Sequence, residues 1–267
     1  MILNHLKIGN NSKNDNLVIL HGLYGSGETW TNVANLLSNK FNVYLPDARN
    51  HGKSFHNPSH TYPELVEDLK IWADSLNIKK FNLLGHSMGG KTAMFFANKY
   101  PQYINKLIVA DISPRNYSNI SQYVPSINFH LNLISTMLKL EPEKHKSYGE
   151  IAKELVDYEE NIRNIILKNL TKKDGKMHWK LNLQAISNNL PEIVAGLDTD
   201  EFIEKKILVQ TLFLKGDLSN YITNQDFKLI EFIFPNSKFE TVENAGHWLH
   251  IEQPQEISNK IINFLIN

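Results

Sequence analysis

Ser87 sits in Gly85-His86-Ser87-Met88-Gly89, directly after the apolar run Phe81-Asn82-Leu83-Leu84 and ahead of a helical stretch that runs to Tyr100. A serine between glycines at a strand-to-helix junction is the pattern of an exposed nucleophile. The chain turns so sharply there that larger flanking side chains would clash, and the turn lifts the hydroxyl above the sheet. The Met88 N–H then points to where a carbonyl oxygen would gain negative charge during acyl transfer.

A serine hydroxyl needs a base to take its proton, and the base needs an acid to fix its tautomer. Of the 11 histidines, His247 is placed best, in Glu243-Asn244-Ala245-Gly246-His247-Trp248. It follows the last apolar run and precedes the final helical stretch, at the same sheet edge as Ser87. Two carboxylates satisfy the order serine, acid, histidine: Asp111, ending the run at 107–110, and Asp217, following the run at 211–214. The residues alone leave that choice open. A second oxyanion donor is expected from His21-Gly22-Leu23-Tyr24-Gly25, where Gly22 allows close backbone approach and Leu23 supplies the N–H. His21 and His86 read as structural histidines, one hydrogen-bonding, the other packing beside the serine. Asp47 and Asp68 read as loop and helix-surface charges.

Other chemistries find little support. Gly22, Gly25 and Gly27 do not form Gly-x-Gly-x-x-Gly, and His51-Gly52-Lys53-Ser54 lacks the upstream glycine of a phosphate loop. His247 and His250 have no His-Glu-x-x-His context. The absence of cysteine excludes disulfides, thiolate metal sites and a thiol nucleophile. No cofactor and no metal are expected.

The elements that position these residues follow from the hydrophobic pattern. Short apolar runs at 17–20, 43–45, 81–84, 107–110, 211–214 and 239–242 alternate with amphipathic stretches at 29–38, 62–76, 88–100, 224–234 and 254–266. That is the signature of a mostly parallel sheet covered by helices on both faces. Residues 2–8 read as an antiparallel edge strand. Between 113 and 202 the alternation stops and helical periodicity takes over, clearest at Ile162, Ile165, Ile166 and Leu170. The expected architecture is a core of residues 1–112 and 203–267 with a helical cap at 113–202. The cap's apolar faces, including Phe129 and Ile166, are expected to help form an acyl pocket.

The composition fits a globular enzyme, 42% hydrophobic and 21% charged. Lys+Arg and Asp+Glu both number 28, so no basic field points to nucleic acid. The first residues lack the cationic and apolar regions of a signal peptide, and no run of about 18 apolar residues suggests a membrane span. A cytoplasmic protein without an integral membrane segment is expected, a monomer or homodimer whose partner is a small molecule.

Five segments together resemble α/β-hydrolases along the whole chain: His21-Gly22-Leu23-Tyr24-Gly25-Ser26, Asp47-Ala48-Arg49-Asn50-His51-Gly52-Lys53-Ser54, Gly85-His86-Ser87-Met88-Gly89-Gly90-Lys91, Ala110-Asp111-Ile112-Ser113-Pro114 and Gly246-His247-Trp248-Leu249-His250. Within that superfamily the chain is similar to the YbfF-type small bacterial esterases and their mitochondrial abhydrolase relatives. The cap matches only around Trp179-Lys180-Leu181-Asn182. The resemblance implies an α/β-hydrolase fold with the cap inserted after strand six. Many α/β-hydrolases place the acid three residues after the glycine ending a late strand; here that glycine is Gly216 and the position holds Ser219. The YbfF-like group also lacks aspartate there, which implies Asp111 as the acid. The implied activity is hydrolysis of acyl esters or thioesters, extending to acyl-CoA, by Ser87, His247 and Asp111, with Leu23 and Met88 holding the oxyanion. The rival readings are a carbon–carbon lyase of the menaquinone-pathway type, which would use cap cations such as Arg115 or Arg163, and a slow-turnover ligand receptor.

Overall fold

The computed structural model describes residues 1–117, 127–196 and 205–267. Five strands come first: β1 (His5–Ile8), β2 (Asp15–Leu20), β3 (Phe41–Pro46), β4 (Phe81–His86) and β5 (Ile104–Ala110). A separate two-stranded hairpin follows, β6 (Leu170–Lys173) and β7 (Lys176–Trp179), and then β8 (Thr211–Gly216) and β9 (Ser237–Val242) complete the main sheet. The order across that sheet is β1-β3-β2-β4-β5-β8-β9. Only β1 runs antiparallel to its neighbour, as an edge strand, matching the expectation for residues 2–8.

Strand side chains alternate between faces, and both faces are apolar. Leu17 and Ile19 of β2 pack with Leu84, Ile108 and Leu214 in one cluster. That cluster lies under α1 (Thr31–Leu37) and the final helix, residues Pro254–Ile266. Val18 and Leu20 join Leu83, Val109 and Phe213 on the other face, under α2 (Tyr62–Ser75) and α3 (Met88–Lys99). A parallel sheet buried on both sides explains why the strands read as short apolar runs rather than alternating ones.

The carboxyl ends of the strands are tied to one another in sequence. Ser87 N–H donates to Ala110 O at 3.2 Å, Asp111 N–H to Leu214 O at 2.8 Å, and Asp217 N–H to Val242 O at 3.1 Å. The turns after β4, β5 and β8 are therefore held side by side along one edge, where α/β folds place their ligands.

The stretch between β5 and β8 differs from its sequence reading. It is not wholly helical: α4 (Ile127–Lys139), α5 (Tyr148–Glu154), α6 (Glu160–Lys168) and α7 (Leu183–Ala195) are joined by the β6–β7 hairpin. Leu170 opens β6 instead of continuing the helix of Ile162 and Ile166. The hairpin was hidden because its residues, Leu-Thr-Lys-Lys and Lys-Met-His-Trp, are mostly polar, turning at Asp174-Gly175 with φ of 50° and 79°. The insertion follows β5, the strand that leads into Asp111 and that the resemblance counts as strand six. It has its own apolar cluster around Ile134, Met137, Ile151, Ile166, Met177 and Leu190. The expected boundary at residue 202 lies outside the described residues.

Candidate active site

The turn after β4 has the geometry its glycines demand. Ser87 precedes α3 with φ 53° and ψ −119°, a conformation that few non-glycine residues adopt and that exposes the hydroxyl. A β-carbon at Gly85 would run into the Gly89 carbonyl, so only glycine lets the chain reverse this tightly. Met88 opens α3, and the N–H groups of a helix's first turn have no partner within the helix.

The loop after β2 presses against this turn. A β-carbon at Gly22 would lie 3.0 Å from His86 Nδ1 and 3.2 Å from Ser87 Cβ, so a larger residue would push the loop off the serine. The loop is held from behind by His21, whose Nδ1–H donates to Gly22 O at 2.8 Å while Nε2 accepts the Ala48 N–H at 3.0 Å. That fixes the tautomer, and burial lowers the ring's pKa, keeping it neutral. His86, also held neutral chiefly by burial, donates from Nε2 to His247 O at 2.8 Å and so links the serine turn to the histidine loop.

Asp111, in left-handed backbone at φ 49°, is completely buried. Its Oδ2 accepts the His247 Nδ1–H at 2.8 Å and the Ser219 hydroxyl; Oδ1 accepts the Gly216 N–H at 3.1 Å. A carboxylate only accepts, so His247 carries its proton on Nδ1 and turns a bare Nε2 away from the acid. Tyr221 stacks on the imidazole, with centroids 3.7 Å apart and planes at 14°. Asp217 is exposed and accepts the Ala245 N–H at 3.0 Å. The structure thus joins Asp111, not Asp217, to His247.

Ser87, Met88, Leu23 and Tyr221 line one solvent-connected cavity. Its remaining wall comes from Tyr62, Ile112, Tyr117 and Lys91 of the sheet layer, and from His130, Ile193 and Val194 of the insertion. Phe129 and Ile166 are not in that wall. Ile166 is fully buried within the insertion's own cluster, because α6 turns its apolar face inward. Arg115 and Arg163 are not in it either; Arg115 pairs with Asp226 at 3.0 Å. Asp47 and Asp68 are both buried, contrary to their reading as surface charges. Asp47 accepts the N–H groups of Gly27 and Lys53, at 2.8 and 2.9 Å, and Asp68 takes two bonds from Arg49, at 2.6 and 2.9 Å. The insertion docks on these loops. Asn169 Nδ2 donates to Tyr24 O at 2.9 Å, and the Asn182 N–H to Asn50 O at 3.0 Å. Among the described residues no group of three or more His, Asp or Glu could hold a metal, and no helix is long and apolar enough to cross a membrane.

Ser219 and Tyr221 were missed as site residues. The signal for Ser219 was present in its place three residues after Gly216; nothing in the sequence marks a tyrosine that will stack on a histidine.

Residues 15–254 match the family described as the alpha/beta hydrolase fold, and the chain belongs to that family as a hydrolase-class enzyme. Over 93% of its length it is 34% identical to a zebrafish (Danio rerio) protein named sn-1-specific diacylglycerol lipase ABHD11, covering 78% of it. It is 28% identical to the Escherichia coli esterase YbfF, covering 96% of this chain and 95% of that one. A solved structure described as a marine microorganism esterase superposes with a TM-score of 0.91 at 41% identity, covering 98% and 99% of the two chains.

Proposed function

We propose that the protein hydrolyses carboxylic esters, and acyl thioesters of similar size, through an acyl-enzyme on Ser87. The observation that carries this reading is the Asp111–His247 pair, tied through His86 to a strained serine turn that lines a cavity. His247 Nε2 takes the Ser87 proton as Oγ bonds to the acyl carbon, and the carbonyl electrons move onto oxygen, where the Leu23 and Met88 N–H groups stabilise them. The tetrahedral species collapses, the bond to the alcohol or thiol breaks, and His247 returns the proton to the leaving group. A water molecule then gives its proton to His247 and its oxygen to the acyl carbon; the bond to Ser87 Oγ breaks as His247 passes that proton to it, releasing acid and free serine. Asp111 holds the ring in this tautomer and stabilises the imidazolium. Ser219 and Gly216 hold Asp111 in turn, so Ser219 acts as a positioning residue.

The insertion, read as a cap, supplies Ile193 and Val194 to an acyl pocket. Each methylene buried there contributes about 0.8 kcal/mol, so kcat/KM should rise about fourfold per carbon until the pocket is full. A panel of 4-nitrophenyl esters and acyl-CoAs of increasing chain length tests the reading. It expects chain-length-dependent turnover that Ser87→Ala abolishes. Turnover surviving in that variant, or no dependence on chain length, would contradict the nucleophile or the pocket respectively.

A further inference from the structure

Lys91 is the charged side chain that the mechanism leaves unused. It is 2% exposed, although lysine is almost never buried without a charged partner. It lies one helical turn beyond Ser87 in α3, where the Lys91 N–H donates to Ser87 O at 3.0 Å. Its side chain forms part of the wall of the cavity that holds Ser87.

The surroundings satisfy the ammonium only in part. Lysine carries three donors. Among the described residues Nζ donates to the Arg115 carbonyl at 2.5 Å and sits 4.9 Å from the Tyr117 ring centre. No described carboxylate forms an ion pair with it: Asp226, the nearby acid, is paired with Arg115 and accepts the Ser113 hydroxyl at 3.0 Å. Asp111 is committed to His247, Ser219 and Gly216. Among the described residues the group therefore has donors to spare and no partner of opposite charge, in a cavity that Tyr62, Ile112, Ile193 and Val194 help to wall.

We propose that Lys91 is a specificity-determining residue that receives a carboxylate at the far end of the acyl chain, so that the enzyme prefers half-esters of short dicarboxylic acids to esters of plain fatty acids. The inference rests on the acyl pocket assigned above. A serine-bound acyl group lying in the cavity that Ser87 and Lys91 share would bring a carboxylate at its far end towards Nζ. Burial holds the amine well below the usual lysine range, and an entering carboxylate favours its charged form, so substrate and ammonium stabilise each other within the cavity. A neutral acyl chain of the same length leaves the spare donors unpaired.

The test compares ethanol release from monoethyl glutarate and from ethyl pentanoate in the wild type and in Lys91→Met, with fluorophosphonate labelling of Ser87 as a check on folding. The wild type is expected to favour the half-ester, and Lys91→Met to lower the ratio of the two kcat/KM values about tenfold to a hundredfold, the range of a hydrogen bond to a charged group. A ratio that Lys91→Met leaves unchanged overturns the inference while the ester-hydrolase reading stands; Lys91 would then only latch α3 to the loop at Arg115. Should Lys91→Met not accumulate as folded protein, the wild-type ratio decides, and preference for ethyl pentanoate overturns the inference. Failure of the wild type to hydrolyse either ester, with no labelling of Ser87, would instead remove the ester-hydrolase reading and the inference with it.

Discussion

The turns after β5 and β8 each carry an aspartate just past the strand, and they use it in opposite ways. Asp111 is buried, in left-handed backbone, and all of its described donors come from the neighbouring turn and loop. Asp217 faces solvent and caps the loop ahead of His247. Ser219, three residues past Gly216, donates its hydroxyl to Asp111. What the comparison teaches is that the acid is defined by which turn aims inward at the histidine, since order along the chain admits both.

The largest effect that could break this comparison is exchange of the acids. Asp111→Asn should lower kcat by about 10⁴-fold while the protein stays folded by circular dichroism, because the ring loses its tautomer and its counter-charge. Asp217→Asn should stay within about tenfold of the parent.

A second test contrasts the buried charge of Asp111 with histidines buried without charge. Burial pushes His60 down to about 4 and His250 to about 3, the latter stacked on Trp30 at 4.2 Å. Their folded pKa values lie below the unfolded value of 6.5, so the unfolded chain binds more protons in acid. Stability is therefore full above pH 6.5 and is lost as pH falls towards 4. His60 alone accounts for about 2 kcal/mol between about pH 7.5 and pH 5. Urea unfolding at the two pH values should show the loss, and His60→Phe should reduce it; a pH-independent midpoint would contradict neutral burial.

The smallest effect concerns Ser219. Ser219→Ala removes one of three bonds that hold Asp111, and kcat should fall about tenfold, the scale of one hydrogen bond to a charged group. Ser219→Thr, which keeps the hydroxyl, should recover most of it. A kcat unchanged in Ser219→Ala would mean that Gly216 and His247 fix the carboxylate unaided.

Much of this site was legible because its signals are local. Gly-x-Ser-x-Gly between an apolar run and a helical stretch specifies a turn, and strands covered on both faces announce themselves as apolar runs. His21 makes hydrogen bonds of the kind read for it, while His86, read as packing beside the serine, also bonds the His247 carbonyl. The misreadings came where long-range contacts decide. Asp68 looks like a surface charge on α2 until Arg49, 19 positions earlier, folds onto it. The β6–β7 hairpin is mostly polar, so hydrophobic periodicity could not find it, and the sequence gives no sign that Ile166 faces the insertion's interior and not the cavity. The residues alone left Asp111 and Asp217 open and only the resemblance pointed to Asp111; the contact itself depends on the register of β5 against β8, with Asp111 N–H on Leu214 O.

The central claim is that Ser87 is activated by His247 as oriented by Asp111. It is tested most directly by the rate at which a fluorophosphonate modifies the protein, with the labelled peptide identified by mass spectrometry. The account predicts a single labelled residue, Ser87, no labelling in Ser87→Ala, labelling slowed by orders of magnitude in Asp111→Asn, and a near-parent rate in Asp217→Asn. Fast labelling in Asp111→Asn with slow labelling in Asp217→Asn, both variants being folded, would contradict it.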